Sequence, residues 1–225
     1  MNKFLELNNI SKTFETSKKL KVIKNLSYNF KKGKIYSLMG PSGSGKSTLL
    51  NLISLIDKPS NGLIKFNKHQ INYDDKEQND QLRAKKIGIV YQQNNLLPDF
   101  TSLENIYLAS LSINNNKNLA ISKAKQLLQK IGLSSRADHY PSQLSGGEAQ
   151  RIAIARAIIN DPEIILADEP TGSLDMRTAK VIFNLLKDQK RSDRLIIFAT
   201  HNRFFGNKAD CLLEILDGNI KSSNG

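Results

Sequence analysis

Eight residues, Gly40-Pro41-Ser42-Gly43-Ser44-Gly45-Lys46-Ser47, constrain this chain more than anything else in it. They match Gly-x-x-x-x-Gly-Lys-Ser in full. Their flanks have the right periods: a short apolar run from Ile35 to Met39 before, and a helix-like stretch from Thr48 to Ile56 after. Glycines at this spacing let backbone N–H groups close around a phosphate at a helix N-terminus, with no side chain in the way. Lys46 is then placed to reach β- and γ-phosphates and Ser47 to offer its hydroxyl to Mg²⁺, with Gly40 to Thr48 as the ATP-binding stretch.

The rest of the chain alternates in the same manner. Leu5 and Leu7, then Leu26, Tyr28 and Phe30, alternate with polar residues and read as strands. Residues 67–83 are polar, with no clear period. Ile87 to Tyr91, Ile164 to Ala167 and Leu195 to Ala199 read as short buried strands. Residues 119–131 place Ala120, Ala124, Leu127, Leu128 and Ile131 on one helical face, with Gly132 as the stop. Helices are also expected over 145–159 and over 177–189, the latter with Val181, Ile182, Leu185 and Leu186 inward. A hairpin is expected around Asp217-Gly218. Strands alternating with helices imply an α/β fold with a mainly parallel sheet. Residues 94–154 read as a helical insertion, leaving 1–93 and 155–225 as the core.

Two further motifs carry chemistry. The strand Ile164 to Ala167 ends in Asp168-Glu169, where open α/β sheets put their ligands. Asp168 suits Mg²⁺ through water or from just beyond its direct ligands, and Glu169 suits positioning and polarising an attacking water. Leu144-Ser145-Gly146-Gly147-Glu148-Ala149-Gln150-Arg151 opens a helix with the Ser-x-x-Glu spacing of a capping box. Its two glycines leave first-turn N–H groups approachable by an anion.

With these three motifs in order, the chain resembles an ATP-binding cassette (ABC) ATPase over residues 3–221. The resemblance implies a P-loop NTPase core with an N-terminal antiparallel β subdomain and an inserted helical subdomain. It also implies several roles. Gln92 matches the Q-loop glutamine, a metal and catalytic contact, and Ser173-Leu174-Asp175 matches the D-loop. His201 matches the switch histidine, and Phe14 stands where an aromatic stacks on adenine. In such proteins two chains pair head to tail, and Ser145, Gly146, Gly147 and Glu148 of one cap the γ-phosphate held by Lys46 of the other. ATP and Mg²⁺ are the implied ligands; a second copy and integral membrane permease subunits are the implied partners. Two positions depart from the pattern: Glu148 stands where many members have Gln, and Asn202 follows His201 where Asp is usual. Segments 55–62, 89–98, 199–202 and 213–220 resemble the lone ATPase subunits serving lipoprotein release, macrolide export and cell division, and the lipoprotein-release branch most. Amino-acid importers, drug exporters and nucleic-acid-associated ABC machines remain alternatives.

Composition narrows the classes. A chain of 225 residues with 39% hydrophobic and 24% charged content can bury a real core. No run approaches a membrane span, and Met1 to Glu6 carries no long apolar stretch, so neither a transmembrane helix nor a secretory signal is expected. A single cysteine, Cys211, with three histidines excludes an internal disulfide and argues against a structural zinc site. A reducing, cytosolic setting fits, with Cys211 as a small core residue; the resemblance implies a place at the cytoplasmic face of the inner membrane. The net charge of +12 comes from 25 Lys and 8 Arg spread without blocks, alongside 23 Asn. That pattern suits a solvated basic surface, or a face that meets a membrane partner or anionic lipid, rather than nucleic-acid binding. Only 98 residues separate Lys46 from Ser145, without sustained heptads, which leaves no room for a long coiled coil.

Overall fold

The computed structural model describes residues 4–15 and 19–223; Met1 to Lys3, at the start read above, lie outside them. In chain order the elements are β1 (Leu5–Glu15), β2 (Lys19–Phe30), β3 (Ile35–Met39), α1 (Lys46–Ile53), β4 (Asn61–Phe66), β5 (His69–Gln70) and α2 (Lys76–Lys86). Then come β6 (Ile87–Val90), α3 (Ser102–Leu111), α4 (Lys117–Lys130), α5 (Gly146–Ile158), β7 (Ile164–Asp168) and α6 (Met176–Lys187). The chain ends with β8 (Leu195–Ala199), α7 (Arg203–Gly206), β9 (Cys211–Leu216) and β10 (Asn219–Ser223). It divides into two compact units, Met1–Asp80 with Lys190–Gly225, and Gln81–Gln189.

In the first unit an antiparallel sheet runs β2-β1-β4-β5. Leu5 pairs with Phe30 and Leu7 with Tyr28, and irregularities follow between Leu7 and Ile10. Asn9 and Asn25 turn left-handed there, with φ of 47° and 49°, a conformation asparagine tolerates well. The second sheet places β3 parallel to both β8 and β9. All five residues of β3 and of β8 are buried, as parallel strands covered on both faces require. The β9–β10 hairpin turns at Asp217 and Gly218, both at positive φ, as a two-residue primed turn needs. Cys211 is buried at the start of β9.

In the second unit β6 and β7 pair in parallel, Ile87 opposite Ile164 through Val90 opposite Ala167. Gly88 permits the packing beneath: a Cβ there would lie 2.3 Å from the Ala157 carbonyl oxygen. Helices α3, α4 and α5 share a core of Ile106, Ala120, Ala124, Leu128, Ile152 and Ala155 among others. Helix α4 stops at Gly132, φ 70°, with the Leu133 N–H returning to the Leu128 carbonyl.

One reading of the sequence needs correction, and one stretch gains an element. Residues 67–83 are polar as read, and across 76–86 the chain forms α2. Its only buried residue is Asn79, so no apolar stripe existed to be read. On α6 the buried face is Ala179, Ile182, Phe183 and Leu186, while Val181 is 45% exposed. The i, i+3, i+4, i+7 set anchored on Ala179 wins over the one through Val181, because one residue's shift turns a helix face by about 100°.

Candidate nucleotide site

Gly40 to Ser47 forms a loop ending at α1, in the first unit. Gly45 is the N-cap, with φ 104° and no side chain capping the helix. A Cβ at Gly45 would meet Ile23 Cδ1 at 2.8 Å, and one at Gly40 would meet the Ile215 carbonyl oxygen at 2.4 Å. Both glycines are therefore dictated by close packing as well as by φ. Lys46 is only 8% exposed, and its Nζ donates to the carbonyls of Gly40 (2.8 Å) and Pro41 (3.0 Å). Held by neutral carbonyls rather than by a carboxylate, the ammonium is placed to meet an anion in the loop. Ser44 Oγ is buried with no hydrogen-bond partner among the described residues. Pro41, Ser42 and Gly43 are exposed at the loop's crown. Elsewhere in this unit Phe14, near the end of β1, is 37% exposed, so it is not a core phenylalanine. His201 is exposed two residues past the end of β8. Asn202 caps α7, its Oδ1 accepting from the Phe204 N–H at 2.9 Å. Asparagine does this as well as the usual aspartate would.

The second unit holds the carboxylates and the second glycine motif. Strand β7 delivers Asp168 at its end, and Asp168 Oδ1 is buried with no hydrogen-bond partner among the described residues. Glu169 follows at φ 45°, a left-handed strain that non-glycine residues hold only when their surroundings demand it. Gly172 brings Gln92 and Glu169 close. A Cβ on it would lie 3.4 Å from Gln92 Nε2 and 3.5 Å from Glu169 Cβ. Gln92, Asn95, Gly146, Gln150 and Ser173 line an open cavity of about 490 Å³. Ser145 caps α5: its Oγ accepts from the Glu148 N–H (3.3 Å), while Glu148 Oε2 accepts from the Ser145 N–H (2.8 Å) and hydroxyl (2.9 Å). Asp175 caps α6 through the Arg177 and Thr178 N–H groups, and Leu174 lies 3.5 Å from a Cβ built on Gly146.

Sequence reasoning missed several braces in this unit. Arg136 Nε donates to Glu148 Oε1 at 2.9 Å. The bond from the Ser145 N–H, then those from Arg136 and the Ser145 hydroxyl, hold the Glu148 carboxyl down at about 2. Gln150 donates to the Tyr91 carbonyl (3.0 Å), and Arg156 donates to those of Asn94 and Asn95, both at 2.7 Å. These bonds hold the Gln92 loop to α5. Asn105 is buried and sends Nδ2 to the carbonyls of Leu97, Phe100 and Thr101 while accepting from the Leu97 N–H. That clamp leaves Leu97 and Phe100 exposed on the loop's surface. Only Gln150 carried a signal, as part of the Ser145 motif.

Comparison with known proteins agrees with this arrangement. The family model described as ABC transporter matches residues 23–172. The lipoprotein-releasing system ATP-binding protein LolD of Rickettsia bellii is 41% identical over 226 residues, covering 99% of each chain. LolD of Ehrlichia canis is 42% identical over 217 residues, covering 96% of each. Among solved structures, a dimeric ATP-binding cassette in a post-hydrolysis state with ADP and Pi superposes with a TM-score of 0.90 at 36% identity, over 98% of both chains. The cbiO1 protein of Clostridium perfringens, part of the ABC transporter complex cbiONQ, gives a TM-score of 0.84 at 26% identity, covering 100% of this chain and 89% of that one. A family match spanning both the Lys46 loop and the Asp168-Glu169 strand end, with relatives matched from end to end, means that this chain belongs to the ABC transporter family, as one of its ATP-binding cassettes.

Proposed function

We propose that the chain is the ATP-hydrolysing subunit of an inner-membrane complex that releases lipoproteins toward the outer membrane. It works as a homodimer bound to permease subunits at the cytoplasmic face. The observation that carries the ATPase reading is the start of α1: a helix with no side-chain cap, behind a glycine loop and a buried lysine. Such an end suits an anion, which its first-turn N–H groups and the helix dipole attract. The cargo reading is supported by end-to-end likeness to LolD proteins. Attachment through partners is supported by the absence, among the described residues, of any helix long and apolar enough to cross a membrane.

Each residue's role follows from its chemistry. Lys46 and the N–H groups of the 40–48 loop bind the phosphates, and Phe14 stacks on adenine. Ser47, Asp168 and Gln92 are hard oxygen donors, the class Mg²⁺ prefers. The buried, unpartnered Asp168 oxygen fits such a cation. Bound Mg²⁺ supplies charge neutralisation at the phosphate oxygens. Glu169 orients and polarises the attacking water, and His201 contacts the γ-phosphate. Ser145 to Glu148 and Ser173 to Asp175 act in trans, from the second copy. Leu97 and Phe100, exposed above the Asn105 clamp, form the contact for the membrane subunits.

Mixing two inactive variants tests the trans arrangement. Ser145→Arg blocks the second half-site by bulk, and Lys46→Ala removes the phosphate charge. Each homodimer lacks a whole site, but the mixed dimer keeps one. Recovered hydrolysis on mixing is the expected result. An inactive mixture containing proven heterodimers counts against the trans site. Co-expression with four-span permeases that carry a large periplasmic domain tests the cargo reading. Lipoprotein release by the reconstituted complex on ATP supports it, and export of a drug instead reassigns the complex. A Leu97→Asp variant should lose co-purification with the permeases while still binding ATP.

A further inference from the structure

Phe14 is braced by a cation that the motif match does not assign. Lys12 Nζ sits 5.0 Å from the centroid of the Phe14 ring, within cation–π reach. The same ammonium donates to Asp57 Oδ1 (2.5 Å) and to the Lys58 carbonyl (3.0 Å), so two of its three donors are fixed. The Lys12 side chain is only 12% exposed, while Phe14 remains 37% exposed. Ser60 completes the brace: its Oγ accepts from the Thr13 N–H at 3.0 Å, and its N–H donates to the Ser11 carbonyl at 2.7 Å. Asp57 and Lys58 lie just past the C-terminal end of α1, and the Ile56 and Asp57 N–H groups both return to the Asn51 carbonyl. The helix that begins at Lys46 therefore ends in the anchor for Lys12.

We propose that Lys12 is a positioning residue for the nucleotide base. Held by Asp57 and Lys58, it fixes the Phe14 ring at a set distance from the phosphate loop, through α1. This rests on the reading that Phe14 stacks on adenine. A free phenyl ring at a strand end loses rotamer freedom when a base stacks on it. A ring already held by a cation loses less, so the brace raises affinity for the base and leaves the phosphates alone.

The test is a double-mutant cycle on ATP affinity, read by calorimetry, with inorganic tripolyphosphate as the probe that lacks a base. Lys12→Met keeps the stem and removes the charge. It should weaken ATP binding about three- to tenfold, leave tripolyphosphate binding unchanged, and be restored in large part by Lys12→Arg. In a Phe14→Ala background the Lys12→Met change should add nothing further. Equal losses of ATP affinity with and without the ring would overturn the positioning role while leaving the stacking reading intact. Unchanged ATP affinity in Phe14→Ala alone would overturn both. Equal loss of tripolyphosphate binding in Lys12→Met and Lys12→Arg would show a general distortion of the unit and overturn the proposal too.

Discussion

Two helices in this chain begin at glycine-rich sequences, and they complete their N-termini in opposite ways. Every α-helix leaves its first N–H groups without intrahelical acceptors. At α5 the chain supplies part of the answer: Ser145 and Glu148 satisfy each other's N–H groups, and Arg136 holds the carboxylate. Only the Gly146 and Gly147 N–H groups donate to no partner among the described residues. At α1 the cap is Gly45, which has no side chain to offer, and the first helical residue, Lys46, is a buried cation. One end is capped largely by its own side chains and leaves two N–H groups open; the other has no side-chain cap at all. The glycines differ as well. A Cβ at Gly146 would touch Leu174 Cδ2 at an ordinary 3.5 Å, whereas one at Gly147 would press on Thr178 Cγ2 at 2.4 Å. Gly146 is open for approach, and Gly147 is there for packing of α5 on α6.

Four predictions sharpen or break this contrast. The largest effect leaves both helix ends intact and removes the chemistry alone. Glu169→Gln should cut steady-state hydrolysis by about 10²–10⁴-fold while ATP binding persists. Hydrolysis at the wild-type rate would move the base elsewhere. Next, Lys46→Ala should weaken ATP binding by about ten- to a hundredfold, the worth of a charge-assisted contact, in equilibrium titration. If α1 were as self-sufficient as α5, the loss would be negligible. Third, Gly147→Ala should cost about 1–3 kcal/mol through overpacking, a drop of about 3–10 °C in melting temperature. Gly146→Ala should hold or slightly raise the melting temperature, since alanine is the better helix former. Equal effects at the two positions would erase the distinction between approach and packing.

The smallest effect is electrostatic. The folded-state value of Glu148 lies at about 2, below its ordinary 4.5. Its contribution to stability is therefore complete above about pH 4.5 and is lost as pH falls from there toward 2. Acid titration of the melting temperature should show wild type falling more steeply across that window than Glu148→Gln. A glutamine there still accepts the Ser145 N–H bond but cannot protonate or pair in charge with Arg136. Parallel curves would mean that the solvated carboxylate adds nothing to the cap.

The three motifs were legible because each is a local pattern with a local physical cause. A glycine spacing fixes a loop conformation, a Ser-x-x-Glu spacing fixes a cap, and an apolar run ending in acids fixes a strand end. The Gly132 stop and the Asp217-Gly218 hairpin were readable for the same reason, since a positive φ is a property of one residue and its neighbours. What the sequence could not disclose depends on partners distant along the chain. Nothing near Lys12 announces that Asp57, 45 residues later, fixes it over Phe14. Nothing near Asn105 says that its amide closes the Leu97 loop. The period of α6 allowed two apolar faces, and packing chose the one with Phe183. Helix α2 lacked any apolar stripe to betray it. Local spacing determined which groups this protein has for handling phosphate. Tertiary structure alone decided which side chains hold those groups still, because side-chain contacts between segments have no period that a sequence can show.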